Sequence, residues 1–243
     1  MPDEAKKPSK LYIPVAGTWA RRNFRKNAWY RTDSPFDQKM SAIGYTRVDQ
    51  NRDPQNPDRG FWSGDVNGLI FQRLFRTSQR DWKLGGADLA EFIGIKRKQE
   101  LEKAEEVAII AHSHGGQVVA FALKLLVDQE IDPPPKLRVV TVDMPVRTGR
   151  VLGFLWRRSM DHIYEAASNS IDQRWDHLYS QRAWRHLKTY WRWLGSQLGP
   201  RKLKYARSNR EIPGGHSGVL SPSCLGPWPE IMGNWSGSKR LKC

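Results

Sequence analysis

Cysteine is scarce in this chain: its 243 residues include two, Cys224 and Cys243. Two cysteines exclude a disulfide framework and a cysteine-built zinc cluster, and they fit a reducing compartment. Long apolar runs are missing too. None approaches the roughly 20 residues that span a bilayer. The first ten residues are charged and carry Pro2 and Pro8 without an apolar stretch, so they lack signal-peptide character. The expectation is a soluble protein made in the cytoplasm, with export by a route without a cleaved signal, or release by lysis, left open. Acids are in short supply: 25 Asp and Glu face 40 Lys and Arg, for a formal net charge of +15. That balance favours anionic partners such as phospholipid head groups, nucleic acid or acidic polymers, without choosing among them. Internal repeats and breaks in composition are absent. The reading is a flexible segment over 1–10, one domain over 11–235 and a basic tail over 236–243. At 39% hydrophobic and 27% charged residues, the chain can build one α/β domain with a sizeable core.

The most informative stretch is Val107-Ala108-Ile109-Ile110-Ala111-His112-Ser113-His114-Gly115-Gly116, followed by Gln117 to Leu123. A β-branched run ends in a tight turn that opens directly into a helix, with one serine at the apex. This is the G-x-S-x-G pattern of a nucleophile elbow, with Ala111 in the place of the first glycine. The residues two before and two after the serine must be small because strand and helix pass close together there. The bland alternative is a helix start that Ser113 merely caps.

Leu11 to Val15 reads as a buried strand, and Ala16-Gly17-Thr18-Trp19 as the turn after it. A turn of this sort supplies one backbone N–H of an oxyanion hole in elbow enzymes, and Thr18 is the candidate. Ile43 to Val48 reads as an edge strand, and Gly60 to Asp65 as a short strand ending over the sheet. Helical spacing over Arg80 to Lys98 puts Leu84, Leu89, Phe92 and Ile93 on an apolar side. The helix after Ser113 buries Val118, Phe121, Ala122, Leu125 and Leu126, and Pro133 follows its end. Leu137 to Val142 is the next strand. Asp161 to Ala167 reads as another, with Ser168 to Asp172 as the loop past its C-terminal end. Residues 173–210 hold ten Lys and Arg and one acid, with Trp184, Leu187, Trp191 and Leu194 at helical spacing. They read as a basic, Trp-rich helical region: either a helix packing its tryptophans inward, or a surface for an anionic interface.

A serine hydroxyl needs a base to take its proton and a third group to hold that base. In elbow enzymes these follow in the chain order Ser, Asp or Glu, His. Ser113 is the candidate nucleophile, and His216, in the loop Pro213 to Gly218, the candidate base. Three acids compete by position: Asp172 first, then Asp143 at the end of the preceding strand, then Asp176. The N–H groups of Thr18 and His114 are the candidate oxyanion donors, and Trp19, His112 and Pro145 the candidate substrate-lining residues. His112 and His114 form an H-x-H pair, but no further ligands follow closely, so no metal is expected.

With these residues in view, the chain resembles the α/β-hydrolase superfamily, and within it the small bacterial and phage lipase- or esterase-like proteins. The resemblance rests on Val15 to Trp19, Phe61 to Gly64, Ile110 to Gly116 and Gly215 to Ser217, and spans about residues 11 to 220. It implies a mostly parallel sheet with helices on both faces, a two-step acyl-enzyme mechanism, ester or lipid substrates and no cofactor. Two departures stand out. Ala16 occupies the place where many relatives have a histidine before the oxyanion glycine. The usual first two strands are absent, which leaves a reduced sheet of about six. A reading of a different class is a non-catalytic module of the same fold that binds anionic lipid or, less readily, nucleic acid through 173–210.

Overall fold

The computed structural model describes residues 10–17, 28–48, 62–63, 78–96, 100–144, 146, 160–180, 202–212 and 218–233. Of the residues singled out above, Thr18, Trp19, Pro145 and His216 lie outside this set, as do the segments 1–9, 181–201 and 234–243. Strands β1 (Lys10–Ala16), β4 (Glu106–His112) and β5 (Leu137–Val142) are nearly continuous apolar runs, buried almost throughout. That is the mark of a parallel sheet covered on both faces. The remaining strands are β2 (Tyr45–Arg47), β3 (Trp62–Ser63), β6 (Trp175–Ser180) and β7 (Ser208–Ile212). All pairings are parallel, in the order β2-β1-β4-β5-β6-β7, with the two-residue β3 also pairing β1. The expected α/β class, mostly parallel with about six strands, is therefore what the structure has.

Side chains alternate across these strands. Ile109, Ala111, Leu137, Val139 and Trp175 face one core, which α2 (Ser78–Lys96), α3 (Gly115–Asp128) and α4 (Asp161–Asn169) cover. Ala108, Ile110, Val140, Val142 and Leu178 face the other, with residues of α1 (Pro35–Ala42) and α5 (Trp228–Met232). In α2 the buried stripe is Trp82, Leu89, Ala90, Phe92 and Ile93, whereas Leu84, expected inside, is 61% exposed. Among the described residues, no helix is long and apolar enough to cross a membrane.

Two expectations are overturned. Asp161 to Ala167 is helical, within α4, not a strand. Ile163, Tyr164, Ala167 and Ser168 are the buried positions, an i, i+1, i+4, i+5 pattern that belongs to a helix. The strand after β5 is instead Trp175–Ser180, inside the stretch read as a basic helix. Cysteine usage also departs from expectation. Cys224 is buried and disulfide-bonded, and the chain's other cysteine is Cys243.

A charged residue in a central strand needs partners, and β6 has Asp176. Its carboxylate accepts from Arg138 Nε and Nη2 (3.0 and 2.7 Å), Arg207 Nη2 (2.7 Å) and the Ser208 hydroxyl (2.5 Å). Arg138 also donates to the backbone carbonyls of Ile231 and Met232, at 2.6 and 2.9 Å, tying α5 to the sheet. Burial alone would raise the Asp176 pKa, but the Arg138 charge and the bonds from Ser208, Arg207 and Arg138 outweigh it and hold the carboxyl below its usual value. The unfolded chain therefore binds this proton more tightly than the folded one. The stabilisation is complete above the unfolded value near 3.8 and is lost as pH falls from there through the folded value. Asp176→Asn, which leaves the buried Arg138 with only Glu106, 3.8 Å from its Nη1, as an anionic partner, should cost about 3 kcal/mol at pH 7. Urea unfolding at pH 7 and pH 3 should show the gap between variant and wild type narrowing in acid; an equal gap at both would contradict this assignment.

Candidate active site

β4 delivers Ser113 to the C-terminal edge of the sheet. The serine has φ +50°, in the left-handed region, which costs a side-chain-bearing residue about 1–2 kcal/mol. Its N–H donates to the carbonyl of Val142 at 2.8 Å, so the end of β5 holds the turn in place. Directly afterwards α3 begins, pressed against its neighbours. A Cβ at Gly115 would stand 2.6 Å from the carbonyl oxygens of both Val15 and Ala16, and one at Gly116 would stand 3.0 Å from the Cβ of Met144. The double glycine is thus set by close approach to β1 on one side and to the chain past β5 on the other. Ala111 is fully buried. A strand, a left-handed serine and a helix that tolerates no side chain at its first residues make a nucleophile elbow at the top of a parallel sheet. The fold is that of the α/β-hydrolases.

No protein-family model and no curated protein matches this chain. Among solved structures it is similar to poly(aspartic acid) hydrolase-1 from Sphingomonas sp. KT-1, with a TM-score of 0.46 and 14% identity over 93% of this chain and 88% of that one. It is also similar to an arylesterase, with a TM-score of 0.44 and 13% identity over 92% of this chain and 74% of the other. An uncharacterized protein from Bacillus cereus has a TM-score of 0.47 and 14% identity, and the chain spans 62% of its length while 96% of this chain is covered. Likeness at this level carries no residue role across, so the site is built from the chain's own residues.

The elbow is crowded on its β1 side. A Cβ at Gly17 would stand 2.8 Å from Ser113 Cβ and 3.1 Å from both Nδ1 and the carbonyl oxygen of His112. The exit of β1 therefore passes in contact with the serine. Thr18 is the next residue. On the other side, the His114 N–H belongs to the first turn of α3, where backbone donors lack intrahelical acceptors. The two flanking histidines diverge. The His112 ring meets Trp29 edge-on at 6.4 Å, on the α1 side of the sheet. The His114 ring stacks on Trp82 of α2 at 5.0 Å and 18°, on the opposite side. They do not converge as a ligand pair. These tryptophan contacts were not read from the sequence; the available signal was Trp82 one helical turn before Gly86, on one stripe.

Asp143 is the acid the structure brings to the serine. It directly follows Val142, the register partner of His112, so Asp143 and Ser113 occupy the same level on adjacent strands. It has φ +48°, it is 6% exposed, and its N–H donates to the Leu178 carbonyl at 2.7 Å. Asp172 is not brought there. Once 161–169 is a helix, Asp172 lies in the turn that enters β6 from below. Trp175 pairs with Val139, and Leu178 is level with Val142. About 13 Å of strand therefore separates the start of β6 from the level of the site, and Asp172 lies three residues further back. Its side chain is 88% exposed beside Arg174. Asp176 is consumed by the Arg138 network, below the edge. Past β6 the chain holds no acid until Glu211. β7 ends at Ile212, level with Ser180, so the loop that carries His216 leaves from the same edge as Ser113. The chain re-enters at Gly218, and Trp228 Nε1 donates to the Val219 carbonyl at 2.8 Å, securing the far side of that loop.

The glycine packing is directly testable. Gly115→Ala drives a methyl into two backbone carbonyls that have no flexible end to move, and should cost about 3 kcal/mol, the upper range for overpacking. For a chain of this size that is a Tm drop of roughly 6–12 °C. Gly94→Ala, in α2 with nothing within 4 Å of the added atom, should instead be neutral or stabilising by up to about 1 kcal/mol. Thermal melts of the two variants compare them, and equal melting temperatures would contradict the packing read here.

Proposed function

We propose that the protein is a serine hydrolase of carboxylic esters that works through an acyl-enzyme. The observation that carries this reading is the left-handed Ser113, wedged against Gly17 and level with a buried Asp143. In the proposed reaction, Ser113 Oγ attacks the ester carbonyl while His216 takes the serine proton. The tetrahedral oxyanion is held by the N–H groups of Thr18 and His114. Collapse expels the alcohol, which receives its proton from His216, and leaves Ser113 acylated. Water, deprotonated by His216, then attacks the acyl carbonyl, and the acid is released as the serine regains its proton. Asp143 replaces Asp172 as the group that orients His216 and balances its charge in the imidazolium form. Trp19, His112 and Pro145 remain the proposed walls for the substrate.

The distribution of charge supports an anionic interface for the same site. Arg21, Arg22, Arg25 and Lys26 follow β1; Arg147, Arg150, Arg157 and Arg158 follow β5; Arg182, Arg185, Lys188, Arg192 and Arg201 follow β6. These strands all end at the edge that bears Ser113, and the three segments contain no acid. Within 173–210, by contrast, Arg207 is committed to Asp176. The proposed substrate is thus an ester presented at, or carrying, negative charge. A fluorophosphonate probe should label Ser113 in the wild type and not in Ser113→Ala, while that variant keeps salt-sensitive binding to phosphatidylglycerol vesicles. Folded wild-type protein that never labels removes the hydrolase reading. Absence of vesicle binding at low salt removes the interfacial one.

A further inference from the structure

The residue that caps α3 is not a capping residue. His114 stands at the N-cap with αR backbone angles and makes no side-chain cap bond. Serine, threonine, aspartate or asparagine at this position would reach forward and occupy the first N–H groups of the helix. In an elbow those donors are wanted elsewhere, for the oxygen on which negative charge develops. The structure shows what becomes of the His114 side chain instead. Its ring lies flat on Trp82, with centroids 5.0 Å apart and planes at 18°. Trp82 has no exposed surface. It is aimed by the packing of α2 on α3: one turn further along, a Cβ at Gly86 would stand 2.7 Å from Phe121 Cβ and 3.1 Å from the Val118 carbonyl oxygen. Trp82 meets His114, and Gly86 meets the helix from Val118 onward. The close approach at Gly86 thus presses the indole onto the imidazole.

We propose that Trp82 is a positioning residue for the oxyanion hole. By stacking on His114 it fixes the peptide whose N–H faces the reacting oxygen. This inference rests on the hydrolase reading above and adds to it a residue of a different helix that never touches substrate. A flat aromatic pair is worth up to about tenfold in an equilibrium, and full loss of an oxyanion donor costs about 10²–10³ in rate. Releasing the stack should therefore cost up to about tenfold, well short of a lost donor, and in kcat, because the donor acts on the transition state.

The experiment uses the full chain with p-nitrophenyl butyrate as substrate. Trp82→Leu should lower kcat about tenfold and leave KM within about threefold. Trp82→Phe, which keeps a stacking face, should restore kcat to within about threefold of wild type. His114→Ala should lose as much as Trp82→Leu, and the double variant no more than either alone, because both break one device. Three outcomes would overturn the proposal: kcat unchanged in Trp82→Leu, losses that multiply in the double variant, or Phe failing as badly as Leu in folded protein. Should Trp82→Leu not fold, His114→Ala, whose ring is only half-buried, decides the matter through the same kcat and KM. Fluorophosphonate labelling of wild-type Ser113 separates the two levels. A labelled enzyme indifferent to Trp82 refutes this inference alone, and an unlabelled one refutes the hydrolase reading on which it stands.

Discussion

In the proposed ester hydrolysis, Asp143→Asn is expected to lower kcat by about 10⁴-fold with little change in KM, and Asp172→Asn to change neither. The carboxylate at 143 would fix the tautomer of the base and stabilise its cation; an amide of the same shape presents a donor where an acceptor is needed. The comparison is clean because asparagine tolerates φ +48° about as well as aspartate does, so the backbone has no reason to move. Asp172, nearly fully exposed beside Arg174, has nothing comparable to lose. Steady-state kinetics on one short-chain ester, with circular dichroism to confirm folding, measures both. An Asp143→Asn enzyme that keeps a tenth of its activity, or an Asp172→Asn enzyme that loses most of it, would refute the assignment.

Ser113 carries the largest effect of all. Ser113→Ala should lower kcat by about 10⁶-fold, to the residual level that binding and an oxyanion hole give without a nucleophile. Alanine keeps the left-handed strain of the elbow, so its stability should be near wild type. Ser113→Gly is the more telling variant. It removes about 1–2 kcal/mol of left-handed strain and adds roughly 0.5–1 kcal/mol of backbone entropy cost. The net expectation is an inactive protein with a Tm equal to wild type or a few degrees higher. Loss of activity joined to unchanged or improved stability is what a strained functional residue predicts. A purely structural serine predicts that activity survives in both variants.

The elbow was legible because everything it needs is local. Val107 to Ala111 is a buried strand by composition, Gly115 and Gly116 clear the helix start, and Val118 to Leu126 shows helical spacing; no distant residue has to be known. The strands Leu11 to Val15 and Leu137 to Val142 were legible for the same reason, since strands buried on both faces are continuous apolar runs. The edge strand expected over 43–48 forms over 45–47.

β6 and β7 were not legible. Trp175–Ser180 contains Asp176 and His177, both buried, and no local pattern says that such residues can lie inside a sheet. What permits it for Asp176 is Arg138, in sequence 38 residues away, together with Arg207 and Ser208 from the next strand. The same distance hid which acidic residue lies level with Ser113. Asp161 to Ala167 is short enough to read either way, and reading it as a strand moved Asp172 to the wrong end of the sheet. By itself the sequence determined that a serine sits on a sharp turn between a buried strand and a buried helix, with a histidine in a late glycine-rich loop. Only the tertiary structure decided which acid shares its edge. In a parallel sheet the residues that meet are those at equal height on neighbouring strands, and height is set by register between segments far apart in the chain, which local residue preference does not encode.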